Sequence, residues 1–311
     1  MTYKFSGHET FPCRYAWLPK AVGALQADSL LFSDPDSAMV VLGVGKNMVR
    51  SIRFWVEATK MAQPDGKGQL VVRPFGEMLL GDYGHDPYLE DIQTLWLIHW
   101  NLSTRINDPI FAWDFLINRW HEPEILPSSV LKAFEKEAAL QKRKLSKVTL
   151  KQHLDIFIHT YSPTRGKKGT VLEENLDSPL IELDLIRHIG ERSINEQQDA
   201  KREPVYAFNR EPKPSISQHL FVYCLNDFWN AHFADENTLA FRHVAYGHGS
   251  PGQVFKLPET EIFEYLTRIE FITNGSLSFQ ESAHLRQLRR HENLTWTDLL
   301  SSIYRAEVTN A

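Results

Sequence analysis

The sequence predicts a mainly α fold with small β-hairpins, assembled from helix-turn-helix and winged-helix-like modules. Three observations predict it. Apolar residues recur at helical spacing, as in Met48, Val49, Ile52, Trp55 and Val56. Helical stretches come in pairs separated by short breaks such as Gly43-Val44-Gly45. Strand signals are brief and lie beside turn residues, at Gln69 to Arg73 and around Asn274-Gly275.

In chain order, a first helix is expected near Arg14 to Leu25. A short one follows to Leu42, with Asp36 after Pro35 as its cap. Gly43-Val44-Gly45 interrupts it, and Lys46 to Met61 resumes as a helix with one apolar face. Residues 63–68 read as a turn leading into a small wing strand. Leu89 to Asn101 and Ile110 to Trp120 are apolar helices, each announced by an Asp-Pro step. A second helical pair spans Ser128 to Gln141 and a helix from Ser146 or Thr149, joined by Lys142-Arg143-Lys144-Leu145. Residues 162–214 are polar and read as a linker holding one helix near Ile181 to Ile189. Helices at Ser215 to Phe233, Leu239 to Tyr246, Pro258 to Ile269 and Thr297 to Tyr304 follow, with a hairpin turning at Asn274-Gly275. Three modules are expected: 1–122 with a helix-turn-helix, 123–178 as a second such unit with a basic linker, and 179–311 as a helical domain with a winged hairpin.

With 311 residues, 42% hydrophobic and 23% charged, the chain is long and apolar enough for several cores. No apolar run approaches the roughly 18 residues that span a bilayer, and the N-terminus lacks a signal-peptide core, so a cytoplasmic protein with no membrane partner is expected. Cys13 and Cys224 are the only cysteines, which excludes a disulfide framework and a CxxC zinc site. The net charge of -5 argues against an overall nucleic-acid footprint, so any DNA contact has to be local.

Local basic faces do exist. A helix-turn-helix reads double-stranded DNA with the start of its second helix, where Arg pairs with guanine and Asn with adenine. Lys46, Asn47, Arg50 and Arg53 fit that face, and Lys144, Lys147 and Lys151 occupy the corresponding region of the second pair. A solvated helical hairpin explains the same pattern, and both readings stay open. Carboxylates cluster at Asp82, Asp86, Glu90 and Asp91, with His85 and His99 nearby. Asp86, Glu90 and Asp91 are candidate catalytic residues, with Asp86 and Glu90 as ligands of a divalent metal, Mg or Mn, that activates water at a phosphodiester. Acidic residues at a helix start also simply complement its dipole. His8 and Glu9 form a further candidate base or ligand pair. No GxSxG elbow, HExxH helix, zinc-deaminase signature or dinucleotide fingerprint is present, which excludes those enzyme classes.

Several segments together resemble a known family: Phe5-Ser6-Gly7-His8-Glu9-Thr10-Phe11 with Arg14-Tyr15-Ala16-Trp17, Leu42 to Trp55, and Asp86 to Asp91 before Thr94 to Trp100. The likeness continues through Thr149 to Tyr161 and Ser250 to Leu257. The chain resembles the domain-of-unknown-function 4007 family. The resemblance implies an SspB-like component of the Ssp DNA phosphorothioation system, a bacterial modification and antiviral defence system of restriction-modification type. Its implied partners are a cysteine desulfurase, an ATP-pyrophosphatase-like enzyme and an ATPase. It implies a DNA nickase, an endonuclease that cuts one strand so that sulfur replaces a phosphate oxygen, and it carries over no catalytic residue. The alternative is a noncatalytic DNA-binding adaptor that recognises the site and recruits the sulfur-transfer enzymes.

Overall fold

The computed structural model describes residues 3–141, 145–163, 178–193, 202–282 and 285–308. It is mainly helical, with small antiparallel sheets. The chain forms two compact units: Met1–Leu116 with Trp120–Asn209, and Ile117–Arg119 with Arg210–Ala311.

The first unit opens with α1 (Trp17–Ala27), α2 (Pro35–Leu42) and α3 (Lys46–Ala58). α2 starts two residues earlier than its sequence suggests, with Asp34 and not Asp36 as the cap. Asp34 caps it by accepting from Asp36 N–H, and Pro35 takes the first helical position, where its missing N–H is not needed. Gly43 ends α2 at φ 63°, a left-handed conformation that glycine adopts without penalty. Lys20 on α1 donates to Leu42 O at 2.9 Å, capping the same end with a cation. Val49, Ile52, Trp55 and Val56 then bury one face of α3 against α1 and α2.

A hairpin of β1 (Ala62–Pro64) and β2 (Leu70–Val72) follows, with Ala62 opposite Val72 and Pro64 opposite Leu70. α4 (Pro74–Leu80) packs on α1, and α5 (Ile92–Ser103) is buried on nearly every side. It runs through the interior, burying the polar Gln93, Thr94, His99, Asn101 and Ser103 along with its apolar residues. α6 (Phe111–Trp113) passes into a π-helical turn over Asp114–Arg119.

α7 (Pro127–Leu140) and α8 (Lys147–Tyr161) form the second helical pair. Pro127 holds the first position of α7, while Ser128 N and Oγ both donate to Glu203. Ser146 caps α8 by accepting from Thr149 N–H at 3.0 Å. Trp55, Trp96, Trp100 and Trp113 are fully buried in this unit, and Trp113 Nε1 donates to Tyr161 Oη at 2.8 Å. Tyr161 Oη is also hydrogen-bonded to His99 Nδ1 at 2.7 Å, so the polar atoms of this aromatic core satisfy one another.

The polar stretch after α8 departs from the expected linker. A 3-10 turn at Pro179–Leu183 leads into β3 (Ile186–Ser193), which pairs with β4 (Arg202–Phe208) across a bulge at His188/Gly190. There is no α-helix at 181–189. β3 buries only Ile186 fully, so its polar exposed residues mask the two-residue period.

The second unit contains α9 (Gln218–His232), β5 (Thr238–Ala240), α10 (Phe241–Tyr246), α11 (Pro251–Phe255), α12 (Glu259–Thr267), α13 (Ile269–Ile272), β6 (Leu277–Glu281), β7 (Arg286–Arg290) and α14 (Trp296–Val308). Its three strands lie in the order β5-β7-β6, and α14 packs along α9. The hairpin does not turn at Asn274-Gly275. Those residues end α13, with φ 48° and 83°, and Gly275 N–H donates to Glu270 O at 2.8 Å. A left-handed pair suits a helix C-terminus as well as a hairpin. Lys256 is almost wholly buried, and its Nζ donates to Ile117 O at 2.5 Å. Burial lowers its pKa to about 7.

Candidate functional site

α3 divides its side chains by face. Val49, Ile52, Trp55 and Val56 are buried, whereas Lys46, Asn47, Arg50 and Arg53 are all exposed, spaced i, i+1, i+4 and i+7 along one outward stripe. The first turn has no acidic residue and no capping side chain, since Gly45 stands at the cap. Its N–H groups and dipole are therefore open to an anion. Arg53 Nε lies 3.0 Å from Glu57 Oε1, an i,i+4 pair that orients the guanidinium along the helix.

The second basic group is arranged differently. Lys147 pairs with Glu135 of α7 at 3.2 Å, and Lys151 pairs with Asp155 one turn on, so carboxylates offset part of that charge. Lys144 lies outside the described residues.

Beside the stripe on α3 lies a cavity of 560 Å³ whose lining includes Lys4, Ser6, Glu9, Arg50, Arg53 and Phe54. The structure thus brings together Glu9, Arg50 and Arg53, which sequence reasoning assigned to two separate sites. An unusual backbone puts Glu9 there. Gly7, Glu9 and Thr10 all have positive φ, at 117°, 48° and 68°. Left-handed conformations cost a non-glycine residue on the order of 1 kcal/mol or more, and persist only where surrounding contacts enforce them. Here α3 supplies them: Ser51 Oγ donates to His8 O at 2.9 Å, and Trp55 Nε1 donates to Phe11 O at 3.0 Å.

His8 anchors the same turn from inside. It is 4% exposed and stacks on His153 of α8, with His8 Nε2 and His153 Nδ1 at 3.1 Å. Ala112 N–H donates to His153 Nε2 at 2.9 Å, which leaves the His153 proton on Nδ1, directed at His8 Nε2. Thr10 N lies 3.3 Å from His8 Nδ1 and would favour the opposite tautomer; the shorter and fully buried Ala112 contact prevails. Burial lowers the pKa of His8 to about 4 and holds His153 well below the usual range, with the His8 charge adding to the effect there. Both imidazoles are neutral at pH 7, and the pair positions the turn from the core.

The acidic group is built as a set of backbone caps. Asp86 is buried, and its two carboxylate oxygens accept from Glu90 N–H at 2.8 Å and Asp91 N–H at 3.1 Å. Asp91 Oδ1 accepts from Gln93 N–H at 2.7 Å and caps α5. Glu90, Asp82 and His85 are exposed, while His99 is in the core against Tyr161. Among the described residues, no three His, Cys, Asp or Glu side chains gather as a metal-ligand set. The carboxylates of Asp86 and Asp91 hold backbone N–H groups, while Glu90, the other expected metal ligand, is exposed.

Sequence reasoning overlooked Lys4, Ser6 and Glu57 as parts of the cavity lining. Lys4 is brought there by a parallel bridge to Ile110, with Lys4 N–H donating to Pro109 O at 2.9 Å and Phe111 N–H donating to Lys4 O at 3.1 Å. A pairing between residues 4 and 110 leaves no local trace in the sequence.

A family model described as "Protein of unknown function (DUF4007)" matches residues 5–304. Two solved structures share the fold. An "SspB crystal structure" is 24% identical with a TM-score of 0.81, and a "Magnesium ion-bound SspB crystal structure" is 23% identical with a TM-score of 0.79. In each case the match covers 97% of this chain and 88% of the other. No curated protein matches the chain. Among the described residues no helix is long and apolar enough to cross a membrane.

Proposed function

Because the chain belongs to the DUF4007 family, whose model spans residues 5–304, we propose that it is the DNA-binding component of a phosphorothioation system of the SspB kind. The observation that carries this reading is the exposed stripe Lys46, Asn47, Arg50 and Arg53 on α3, opening onto the cavity beside Glu9. In the proposal α2 and α3 are a helix-turn-helix, with α3 in the major groove and β1–β2 as its wing. Arg50 and Arg53 hold backbone phosphates, and Asn47 reaches a base edge. The second unit is read as a further winged-helix-like module. Its support is the order helix, strand, helices and hairpin, with the first strand beside the last. Such a component would work with the desulfurase, the ATP-pyrophosphatase-like enzyme and the ATPase of the system.

Adaptor function needs only this face. A second reading, nicking of one strand, is favoured by the strained Gly7-to-Thr10 turn. It holds the Glu9 carboxylate in the same cavity as two guanidiniums, where a phosphodiester would meet a base and two cations at once.

Two measurements separate the readings. Duplex binding by fluorescence anisotropy across a salt series is expected to weaken in Lys46→Ala/Arg50→Ala, with the log-log salt slope shallower by about one unit per lost phosphate contact. Unchanged affinity and slope would remove the interface assignment. Glu9→Gln is expected to keep duplex binding. If the chain nicks, co-eluting conversion of supercoiled plasmid is lost in Glu9→Gln; if wild type and variant both leave the plasmid closed, the adaptor reading stands.

A further inference from the structure

Arg50 and Arg53 serve two surfaces at once. They belong to the exposed stripe of α3, and they also line the 560 Å³ cavity beside it. A strand held by the stripe therefore passes the cavity mouth. A phosphate meets the two guanidiniums there and needs nothing deeper. The cavity nevertheless has the size of small-ligand sites, which run from about 300 to 1,000 Å³. Its depth is left for another part of the nucleotide.

The chemistry of the lining changes from mouth to floor. Ser6, Arg50 and Arg53 are exposed and form the mouth, whereas Tyr3, Phe5 and Phe54 are otherwise buried and form an aromatic floor. Tyr3 Oη donates to the buried Asp114 Oδ2 at 2.8 Å, so its hydroxyl is already engaged. Leu145, just ahead of α8, adds further apolar surface, and half-buried Lys4 and Glu9 complete the ring of charges. Among the described residues, neither Arg50 nor Glu9 has a side-chain hydrogen bond or ion pair. Phosphate alone would leave the aromatic floor wet, and the Glu9 carboxylate would repel a second phosphate in the depth. A nucleobase suits both: its ring covers apolar surface, and its N–H groups donate to a carboxylate. In a paired duplex the Watson–Crick N–H groups are already engaged and the ring is stacked, so a base that enters has to be unpaired.

We propose that an unpaired base of the strand held by α3 enters this cavity, its ring against the aromatic floor, an N–H group donating to Glu9 and its flanking phosphate on Arg50 and Arg53. The inference rests on the DNA-binding reading above and adds to it the form of DNA that is preferred. A duplex with one unpaired nucleotide is favoured over a duplex paired throughout. Extruding a paired base costs unpairing and unstacking, a cost that a nucleotide already unpaired does not incur.

The test is fluorescence anisotropy of the full chain, at one salt concentration, on three duplexes of the same sequence. One is paired throughout, one carries a single unpaired nucleotide, and one carries an abasic residue at that unpaired position. The unpaired nucleotide is expected to bind at least about tenfold tighter than the paired duplex, and the abasic version to lose that gain. Ser6→Trp, which fills the mouth with an indole, is expected to bring the unpaired-to-paired affinity ratio close to one. Should its melting temperature fall, Leu145→Trp fills the cavity from the segment ahead of α8 and is expected to do the same. Equal affinity for the paired and unpaired duplexes would overturn the proposal. A gain kept by the abasic duplex would come from backbone flexibility alone and would overturn it too, as would a ratio unchanged in both tryptophan variants. The DNA-binding reading fails by a different result, an affinity for the fully paired duplex that Lys46→Ala/Arg50→Ala leaves unaltered.

Discussion

The buried His8–His153 pair makes the first unit sensitive to mild acid. The folded His8 pKa is about 4, against 6.5 for a free imidazole, so between those values the unfolded chain binds the proton that the native one refuses. Stability therefore rises with pH across this window, and is lost as pH falls from 6.5 toward 4. One pKa unit is worth about 1.4 kcal/mol, so His8 alone withdraws about 3 kcal/mol over the full window and about 2 kcal/mol by pH 5. His153 acts in the same direction. The assay is urea unfolding of wild type and His8→Gln at pH 7.5 and 5.0. Glutamine does not titrate, so the stability difference between the two proteins isolates the imidazole from every carboxylate elsewhere. Wild type should lose about 2 kcal/mol more than the variant between the two pH values. If the difference between them stays constant to within about 0.5 kcal/mol, His8 is already solvated in the native state and the positioning role assigned to it fails.

Two further outcomes test the same region and its neighbour. Gly7→Ala should destabilise the chain by about 1–3 kcal/mol in thermal unfolding, because φ is 117° and a Cβ would sit 2.7 Å from the Phe54 ring; a neutral effect would mean that the turn is not strained. Asp86→Ala should cost about 1–3 kcal/mol with or without magnesium, since it strips partners from Glu90 and Asp91 N–H. If magnesium raises the wild-type melting temperature and not that of the variant, Asp86 is a ligand after all.

What could be read from the sequence was whatever lies close together along it. The outward stripe of α3 was legible because 46, 47, 50 and 53 alternate with 49, 52, 55 and 56 at helical spacing. Legibility failed where one residue type serves two purposes. The two N–H groups that Asp86 accepts could not be told from its residue type, and Asn274-Gly275 suits a helix end as well as a hairpin. It failed also at long range. His8 meets His153 across 145 positions, and the left-handed Glu9 and Thr10 are imposed by Ser51 and Trp55, not by their own preferences. The hairpin of 186–208 was hidden because one of its strands leaves most residues in water.

The three residues Ile117–Arg119 belong to the second unit, although their neighbours on both sides belong to the first. Asn118 Oδ1 accepts from Gly249 N–H at 3.0 Å, and Ile117 O accepts from Gln253 Nε2 at 2.9 Å as well as from Lys256. A fragment cut at Arg210 would lack the stretch that supplies Asn118 Oδ1 to Gly249 and Ile117 O to Gln253 and Lys256. The family model runs through both units in one match, residues 5–304.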